Sequence, residues 1–367
     1  MPIYAMRTLC LVCALGFALA AGMQTTAEPP VRKTAEGVIV DQQRIARLKA
    51  AKMPKVDHAI QFNTPEADAI LAALEVFPPD NPWNIPVDAW PLHPSSKEMV
   101  AAIGGGKPLR YNTDMSFVLV PAGQKRVPVK ITAYPDESDK GPYPVPDSTP
   151  IEGWPADFKR DPARRALTLD DVQRGKPSLE ADRHGIVVDP VNRKLYEFYR
   201  LTKVDGEWSA DQASIFDLAS NTLRPDGWTS SDAAGLPVFP AVVRFDEFQR
   251  GKIEHALRVT FARTRRAYVH PATHFASQKK DEMLPRMGER LRLRKDFDTA
   301  RFTPQVRIIL EALKRYGMLC ADNGIDWAVS VAPDERIPVL HDELRRVKGT
   351  DFEVVVPPAG YKPAGAN

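Results

Sequence analysis

The central part of the chain is a succession of short apolar segments separated by turn residues. Between Phe117 and Phe275 these segments are β-branched or aromatic, which is the pattern of strands rather than of helices. We therefore predict strands at Phe117–Val120, Val127–Ala133, Gly185–Asp189, Lys194–Lys203, Ala213–Leu218, Ala241–Phe245 and Ala256–Ala262. Two more strands are predicted near the end of the chain, at Asp326–Val331 and Phe352–Val356.

Helical signals flank this strand-rich centre. The segment Asn63–Glu66 combines an N-capping Thr, a first-turn Pro and an acidic residue, all of which favour a helix start. Ser95–Glu98 matches a capping box, and the glycine run that begins at Gly104 ends the helix that follows it. The clearest helix begins at Thr303 and ends at Gly317. Strands without regularly alternating helices predict a mainly β, α+β fold: one large antiparallel β-sandwich of jelly-roll type with helical decoration.

Composition removes several classes of protein. Hydrophobic residues make up 43% of the chain and charged residues 26%, which fits neither a disordered chain nor a membrane bundle. The 50 Lys and Arg residues nearly balance the 47 Asp and Glu residues, so no nucleic-acid partner is predicted. The 34 prolines predict many loops and exclude a simple helical bundle.

The N-terminus has the pattern of a secretory signal peptide over residues 1–26. Arg7 supplies the positive charge, residues 9–21 are apolar but short for a bilayer span, and Ala18–Ala20 forms an A-x-A cleavage pattern. We predict a secreted or periplasmic protein whose mature form starts between residues 21 and 28, with no transmembrane segment after cleavage. An uncleaved anchor is the alternative.

The rest of the chain is predicted to have three parts. Residues 27–60 form a polar N-terminal arm, residues 61–357 a single β-rich domain, and residues 358–367 a flexible tail. Of the three cysteines, only Cys320 remains after cleavage, so no intramolecular disulfide is predicted. Because Cys320 stands in an apolar run, we interpret it as a small buried hydrophobe rather than a nucleophile.

Candidate chemistry is concentrated in five polar islands. They are residues 136–143 with Glu152 nearby, 182–184, 228–237, 255–274 and 321–324. None has a spacing that dictates a mechanism, and each could be local turn chemistry. If they serve one site, at least three of six residues should line one pocket, namely Asp182, His184, Asp232, His255, Arg258 and His274.

The residue types in these islands suit glycan chemistry. A glycosidase needs two carboxyl groups, one protonated and one ionised, and aromatic rings beside them can stack on sugars. A polysaccharide lyase needs a base such as His184 or His255 and a cation such as Arg258 to neutralise a uronate. The predicted catalytic residues are Asp182, His184, Glu197, Asp232, His255 and His274. The predicted substrate-binding residues are Glu152, Asp322, Arg258, Tyr143 and Trp228.

Metal binding has weaker support in the sequence. His270 and His274 are four residues apart, but Pro271 follows the first and no Glu stands between them, so the metalloprotease pattern is absent. The acidic segment Asp136–Asp139 offers oxygen donors without EF-hand spacing. We predict no cofactor, with Ca²⁺ or Zn²⁺ left open; a zinc site could combine His184, His255 and His274.

The same islands carry a family resemblance. From about Phe62 to Val354 the chain resembles a widespread group of secreted bacterial proteins, and the matching stretches include Glu137–Asp139, Gly141–Pro144, Asp182–His184, Leu195–Glu197, Thr229–Pro237, His255–Arg258, Pro271–Ala272 with His274, Pro285–Gly288, Tyr316–Met318 and Asp322–Gly324. The resemblance implies secretion and no particular reaction.

These observations predict a secreted carbohydrate-active enzyme, either a glycoside hydrolase or a polysaccharide lyase. Its partner would be a polysaccharide or a cell-envelope glycan. The first alternative is a non-catalytic envelope protein that binds glycan or Ca²⁺. The second is a metal-dependent hydrolase; a serine hydrolase has no G-x-S-x-G motif to support it.

Overall fold

The helices are short and lie mostly outside the strand-rich centre. The protein was analysed as a computed structural model that describes residues 38–155, 167–175 and 182–362. Its helices are α1 (Gln42–Ala50), α2 (Pro65–Ala73), α3 (Ser96–Ile103), α4 (Leu169–Gln173), α5 (Phe245–Arg250), α6 (Pro304–Arg315) and α7 (His341–Leu344). None of these described helices is long and apolar enough to cross a membrane.

Local signals in the sequence explain the predicted helix starts and ends. Thr64 caps α2 by accepting a hydrogen bond from the backbone N–H of Ala67 (3.2 Å). Helix α3 begins as predicted, but the Ser95 side chain makes no capping hydrogen bond. Gly104 ends α3 with a φ of 98°, a left-handed conformation that glycine adopts without strain.

The strands form three sheets. They are β1 (Ile60–Gln61), β2 (Arg110–Thr113), β3 (Val118–Leu119), β4 (Val129–Ile131), β5 (Gly185–Asp189), β6 (Lys194–Tyr199), β7 (Thr202–Val204), β8 (Glu207–Ala210), β9 (Gln212–Asp217), β10 (Leu257–Phe261), β11 (Arg290–Leu293), β12 (Met318–Asn323), β13 (Ala328–Val331) and β14 (Phe352–Val355). The first sheet has the order β1-β3-β5-β6-β9, the second β14-β11-β12-β10-β13-β2, and the third β4-β8-β7.

The sheets are mixed rather than purely antiparallel. β5, β6 and β9 form an antiparallel meander, whereas β3–β5, β10–β12, β13–β2 and β4–β8 pair in parallel. The mixed α+β class with mostly sheet structure is therefore confirmed. The antiparallel part of the prediction is wrong, because strands that are far apart in the sequence pair in parallel. The jelly-roll sandwich is not confirmed.

The five-stranded sheet is buried on both faces. In β5, Ile186 and Val188 belong to the larger hydrophobic core, which also packs around the six-stranded sheet and α6. Val187, between them, points to the second core, together with Phe198 of β6. Because successive strand residues face opposite sides, this one sheet separates the two cores.

Some predicted elements differ from the structure. The predicted strand Ala241–Phe245 is instead a 3₁₀ turn over Phe239–Ala241 followed by α5, with a single parallel bridge at Val243. Five strands, β1, β2, β8, β11 and β12, were not predicted. β11 has the sequence Arg-Leu-Arg-Leu, and its two arginines are buried. A strand of the core therefore has the sequence pattern of a half-exposed segment.

The described part of the predicted arm packs on the domain. Asp41, which caps α1, accepts a hydrogen bond from the Tyr316 hydroxyl at the end of α6 (2.5 Å), and Arg47 contacts Glu254 (2.6 Å). In the predicted tail, the Tyr361 ring contacts Trp90. All described residues belong to one compact unit, Val31–Asn367, and the predicted signal peptide lies outside the described residues.

Candidate functional site

The centre of the site is a buried ion pair between Arg258 on β10 and Asp232. Arg258 donates from Nε to one Asp232 oxygen (2.8 Å) and from Nη2 to the other, while Nη1 donates to the Ser330 hydroxyl (2.7 Å). Arg258 is 4% exposed and Asp232 is fully buried. A bidentate pair of this kind fixes both side chains in one geometry. Together, Asp232 and Ser330 bind all three nitrogens of the Arg258 guanidinium.

The loop that carries Asp232 is fastened to strand β12. The backbone N–H of Ala234 donates to the carbonyl of Ala321 (2.9 Å), and that of Ala233 donates to the carboxyl group of Asp322 (3.2 Å). The Asp322 carboxyl group also favours the ionised form of Asp232, as a protonated acid does for a neighbouring carboxylate.

Two further carboxyl groups come from the ends of other elements. Asp114 follows β2. Glu152 lies next to the start of β5, although it is far from this strand in the sequence. The Glu152 N–H donates to the carbonyl of His184 (2.8 Å), and the His184 N–H donates to the Glu152 carboxyl group (3.2 Å). The N–H of Gly153 donates to the carbonyl of Asp114 (3.1 Å), so the two acidic segments are joined through the backbone. Asp182, two residues before His184, is exposed.

Burial keeps two of these carboxyl groups, those of Glu152 and Asp322, mostly protonated near neutral pH. Burial, reinforced by the charge of Asp232, raises the pKa of Asp322 to about 8. Burial and the neighbouring Asp114 raise the pKa of Glu152 to about 8, and burial raises the pKa of Asp114 to about 6. Arg258 opposes each shift, but one cation cannot balance this many acids. Asp232 is the acid whose charge Arg258 balances directly.

Glu197 is a buried acid on the five-stranded sheet. It accepts hydrogen bonds from the backbone N–H groups of Val238 (2.9 Å) and Phe239 (2.8 Å) and from the Ser231 hydroxyl (3.1 Å). Burial nevertheless raises its pKa to about 7. Glu197 therefore holds the residue next to Asp232 and fastens this loop to the five-stranded sheet.

His184 is a neutral histidine in this environment. Burial, followed by the charge of Arg258, lowers its pKa to about 3. The side chain is 2% exposed, and its Nδ1 atom has no hydrogen-bond partner among the described residues. Its ring lies 6.1 Å from the ring of Tyr199.

An aromatic stack lies beside the carboxyl groups. The rings of His274 and Phe275 are almost parallel at 5.8 Å, and the ring of Tyr268 stacks on Phe275 at 6.2 Å. The three side chains are half-buried. His274 Nδ1 contacts the carbonyl of Ala233 (2.7 Å), the residue whose N–H binds Asp322, so the stack begins directly next to the carboxyl groups.

The structure brings most of the predicted site residues together. A cluster around Arg258 contains Asp182, His184, Glu152, Glu197, Asp232 and Asp322, and His274 lies beside it. The cavities of about 580 Å³ next to Tyr316 and about 180 Å³ next to Arg290 have other linings. A pocket around the cluster stays a prediction.

Three predicted residues lie elsewhere. His255 is paired on both ring nitrogens, with Glu247 (2.7 Å) and the carbonyl of Ala256 (2.8 Å), so it belongs to a separate ionic network. Tyr143 is 1% exposed in the second core, where its hydroxyl donates to the Asp139 carbonyl. Trp228 lies under the guanidinium of Arg224 at 5.4 Å.

Sequence reasoning missed Asp114, Tyr199 and Ser330. Asp114 directly follows a strand, but that strand was not predicted, and its approach to Arg258 depends on the pairing of β2 with β13. The only signal was a lone Asp after alternating polar and apolar residues. Ser330 lies inside a predicted strand, and nothing in the sequence indicates that its hydroxyl accepts a hydrogen bond from Arg258.

The described residues contain no group of three His, Cys, Asp or Glu side chains placed to hold a metal ion. The acidic segment considered for Ca²⁺ serves the loops instead: Asp139 accepts from Arg224 (2.6 Å) and from the N–H of Ile215 (2.8 Å), and Glu137 accepts from the N–H of Thr229 (2.8 Å).

Comparisons of the chain with models of known protein families, with curated proteins and with solved structures find no match. A fold alone does not define an activity. The function therefore rests on the chemistry of the cluster around Arg258.

Proposed function

We propose that the cluster around Arg258 is the active site of a secreted glycoside hydrolase that uses a protonated carboxyl group as its acid. The observation that carries the proposal is the placement of Glu152, Asp114 and Asp322, all half-buried, around an Arg258–Asp232 pair that is already complete. Glycoside hydrolysis needs a protonated carboxyl group beside an ionised one.

The proton donor would be Glu152 or Asp322. Both are partly accessible, which a group that donates to a glycosidic oxygen must be, and the acids around them favour the protonated form. Asp232, whose charge Arg258 already balances, would hold the centre of the cluster in place. The exposed Asp182 is the candidate for activating the water.

The contacts of Arg258 favour a hydrolase over a lyase. A polysaccharide lyase needs a cation that is available to neutralise the substrate's uronate. All nitrogens of Arg258 donate to Asp232 or Ser330, so this guanidinium is committed within the protein. The proposed substrate is therefore a neutral or amino-sugar glycan of the cell envelope.

The aromatic stack of Tyr268, Phe275 and His274 supports a carbohydrate ligand. Sugar rings bind aromatic faces through their C–H groups, and these half-buried rings begin next to the Asp322 segment. The same stack favours a second candidate function, a protein that binds glycan without cleaving it.

The test is a panel of neutral and amino-sugar polysaccharides with reducing-end detection. Glu152→Gln and Asp322→Asn each remove one candidate acid without changing the shape of the side chain, and the variant that removes the proton donor should lower the rate by about 10²–10⁴-fold. Glu207→Gln, an exposed carboxyl group on β8, is the matched control and should retain full activity. Hydrolysis by the wild type that neither site variant reduces would contradict the assignment, and glycan binding without hydrolysis would favour the second candidate.

A further inference from the structure

Arg290 on β11 is a buried cation without an acid. Its side chain is 4% exposed. Nη2 donates to the backbone carbonyls of Pro82 (3.0 Å) and Ile85 (3.4 Å), while the buried Nε and Nη1 have no hydrogen-bond partner among the described residues. An uncompensated buried guanidinium is costly, so a position of this kind indicates a missing anionic partner.

The charged neighbours of Arg290 do not supply that partner. Glu289, the residue before β11, is held by Arg286 through two hydrogen bonds of 2.8 and 2.9 Å. The residues opposite Arg290 on the flanking strands are apolar, Leu319 on β12 and Val355 on β14. Tyr361 lines the same cavity as Arg290 and adds a hydroxyl group without a charge at neutral pH. Burial lowers the pKa of Arg290 to about 9, so the side chain still carries its charge at neutral pH.

Arg290 lines a cavity of about 180 Å³ with mainly apolar walls. The walls include two aromatic rings, Trp90 and Tyr361, that meet edge to face at 5.3 Å, and the aliphatic side chains of Ile85, Leu319 and Val355. This volume suits a single small ring or a short alkyl chain. A cation at the edge of an apolar cavity is complementary to a molecule with one apolar part and one negative group.

We propose that this cavity binds a small monocarboxylate, with the carboxyl group on Arg290 and an aromatic or short aliphatic part packed against Trp90 and Tyr361. A monoanion matches the charge of Arg290, whereas a phosphate dianion would also meet the charge of Glu289 across the cavity edge. Nε and Nη1 lie on different edges of the guanidinium, so the carboxylate accepts a hydrogen bond from one of these two nitrogens. The proposal is independent of the activity proposed for the Arg258 cluster.

Thermal unfolding of the full-length exported protein with benzoate tests this site. Benzoate in large excess over its Kd should raise the melting temperature by about 2–4 °C in a saturable manner. Benzyl alcohol, which has the ring without the charge, and inorganic phosphate, which has charge without an apolar part, should produce no such rise. Hexanoate tests the aliphatic form of the ligand.

Variants separate this site from a structural role of Arg290. Arg290→Met should abolish the benzoate effect and unfold at a higher temperature than the wild type without ligand, because an uncompensated charge is removed. Arg110→Met, an exposed arginine outside the cavity, is the control and should keep the benzoate effect. If Arg290→Met does not fold, Arg290→Lys should show a weaker benzoate effect, since the ammonium group does not reproduce the positions of the guanidinium nitrogens.

Three results would overturn the proposal. One is the absence of any shift with both benzoate and hexanoate in the wild type. Another is an equal shift with benzyl alcohol, which would indicate apolar binding only. The third is an undiminished benzoate shift in the Arg290 variants.

Discussion

Two buried ionic regions of this protein are built from the same residue types and differ in the ratio of their charges. In the first, Arg258 is the central cation among several carboxyl groups. In the second, which we call the Glu247 network, Arg244 (3.0 Å) and His255 (2.7 Å) both contact Glu247. Arg250 joins that network through Asp246 (3.1 Å).

The ratio of acids to cations decides how each region titrates. In the Glu247 network burial opposes ionisation, yet Arg244 and His255 outweigh it and lower the pKa of Glu247 to about 2. Around Arg258, burial prevails and raises the pKa of Asp322 to about 8. A balanced network stabilises a fold, whereas an excess of acids keeps protons that chemistry can use.

The two histidines show why this distinction matters for assigning function. His184 and His255 each stand beside a strand and an acidic residue in the sequence. His255 has partners on both ring nitrogens, while His184 has a buried nitrogen without a described partner. The first is a structural histidine and the second a candidate for the site.

The largest expected effect comes from breaking the balanced network. Glu247→Gln leaves His255 buried without its acid and Arg244 with Asp246 alone, and we expect a loss of about 3–5 kcal/mol in the free energy of unfolding. Urea denaturation at pH 7 measures it. Asp170→Asn, which breaks an exposed pair with Arg174 (2.9 Å), should cost no more than about 1 kcal/mol. Equal losses in the two variants would contradict the special role of the network.

The next effect is a pH dependence of opposite sign in the two regions. Glu247, whose pKa is lowered, contributes stability that is present above its unfolded pKa of 4.5 and is lost as the pH falls towards 2. Asp322, whose pKa is raised from 3.8 to about 8, favours folding in its protonated form. The stability that protonated Asp322 contributes is therefore lost as the pH rises from 3.8 to about 8, by at most about 1.4 kcal/mol per pH unit.

Asp322→Asn isolates this second term, because Asn mimics the protonated acid and can still donate to Asp232. We expect the variant to match the wild type in free energy of unfolding below about pH 4 and to exceed it increasingly as the pH rises to about 8. Asp281→Asn, an exposed control, should follow the wild-type profile. Parallel profiles for Asp322→Asn and the wild type would mean that Asp322 is ionised in the folded protein.

Short-range signals predicted much of the local structure. Thr64 with Pro65 set the start of α2, and the run Gly185–Asp189 matches β5 at both ends, because neighbouring residues determine caps and apolar strands. The polar islands also indicated several residues of the cluster. Which of them would meet was not predictable, since it depends on the pairing of β10 with β12 and β13. Asp114 was missed for the same reason.

The smallest expected effect concerns Cys320, which lies on β12 two residues before Asp322. The thiol is fully buried and unpaired, so a reductant should leave the melting temperature unchanged within about 1 °C. Burial, followed by the negative charges of Glu289 and Asp322, raises the pKa of the Cys320 thiol well above its usual range. Because the thiolate is the reactive form, iodoacetamide at pH 8 should label the unfolded chain at this position and leave the folded protein unmodified. Mass spectrometry of the peptide that contains Cys320 measures the labelling. Rapid labelling of the folded protein would show that water reaches β12 from the side of the cluster, and the burial that keeps its carboxyl groups protonated would then be lost.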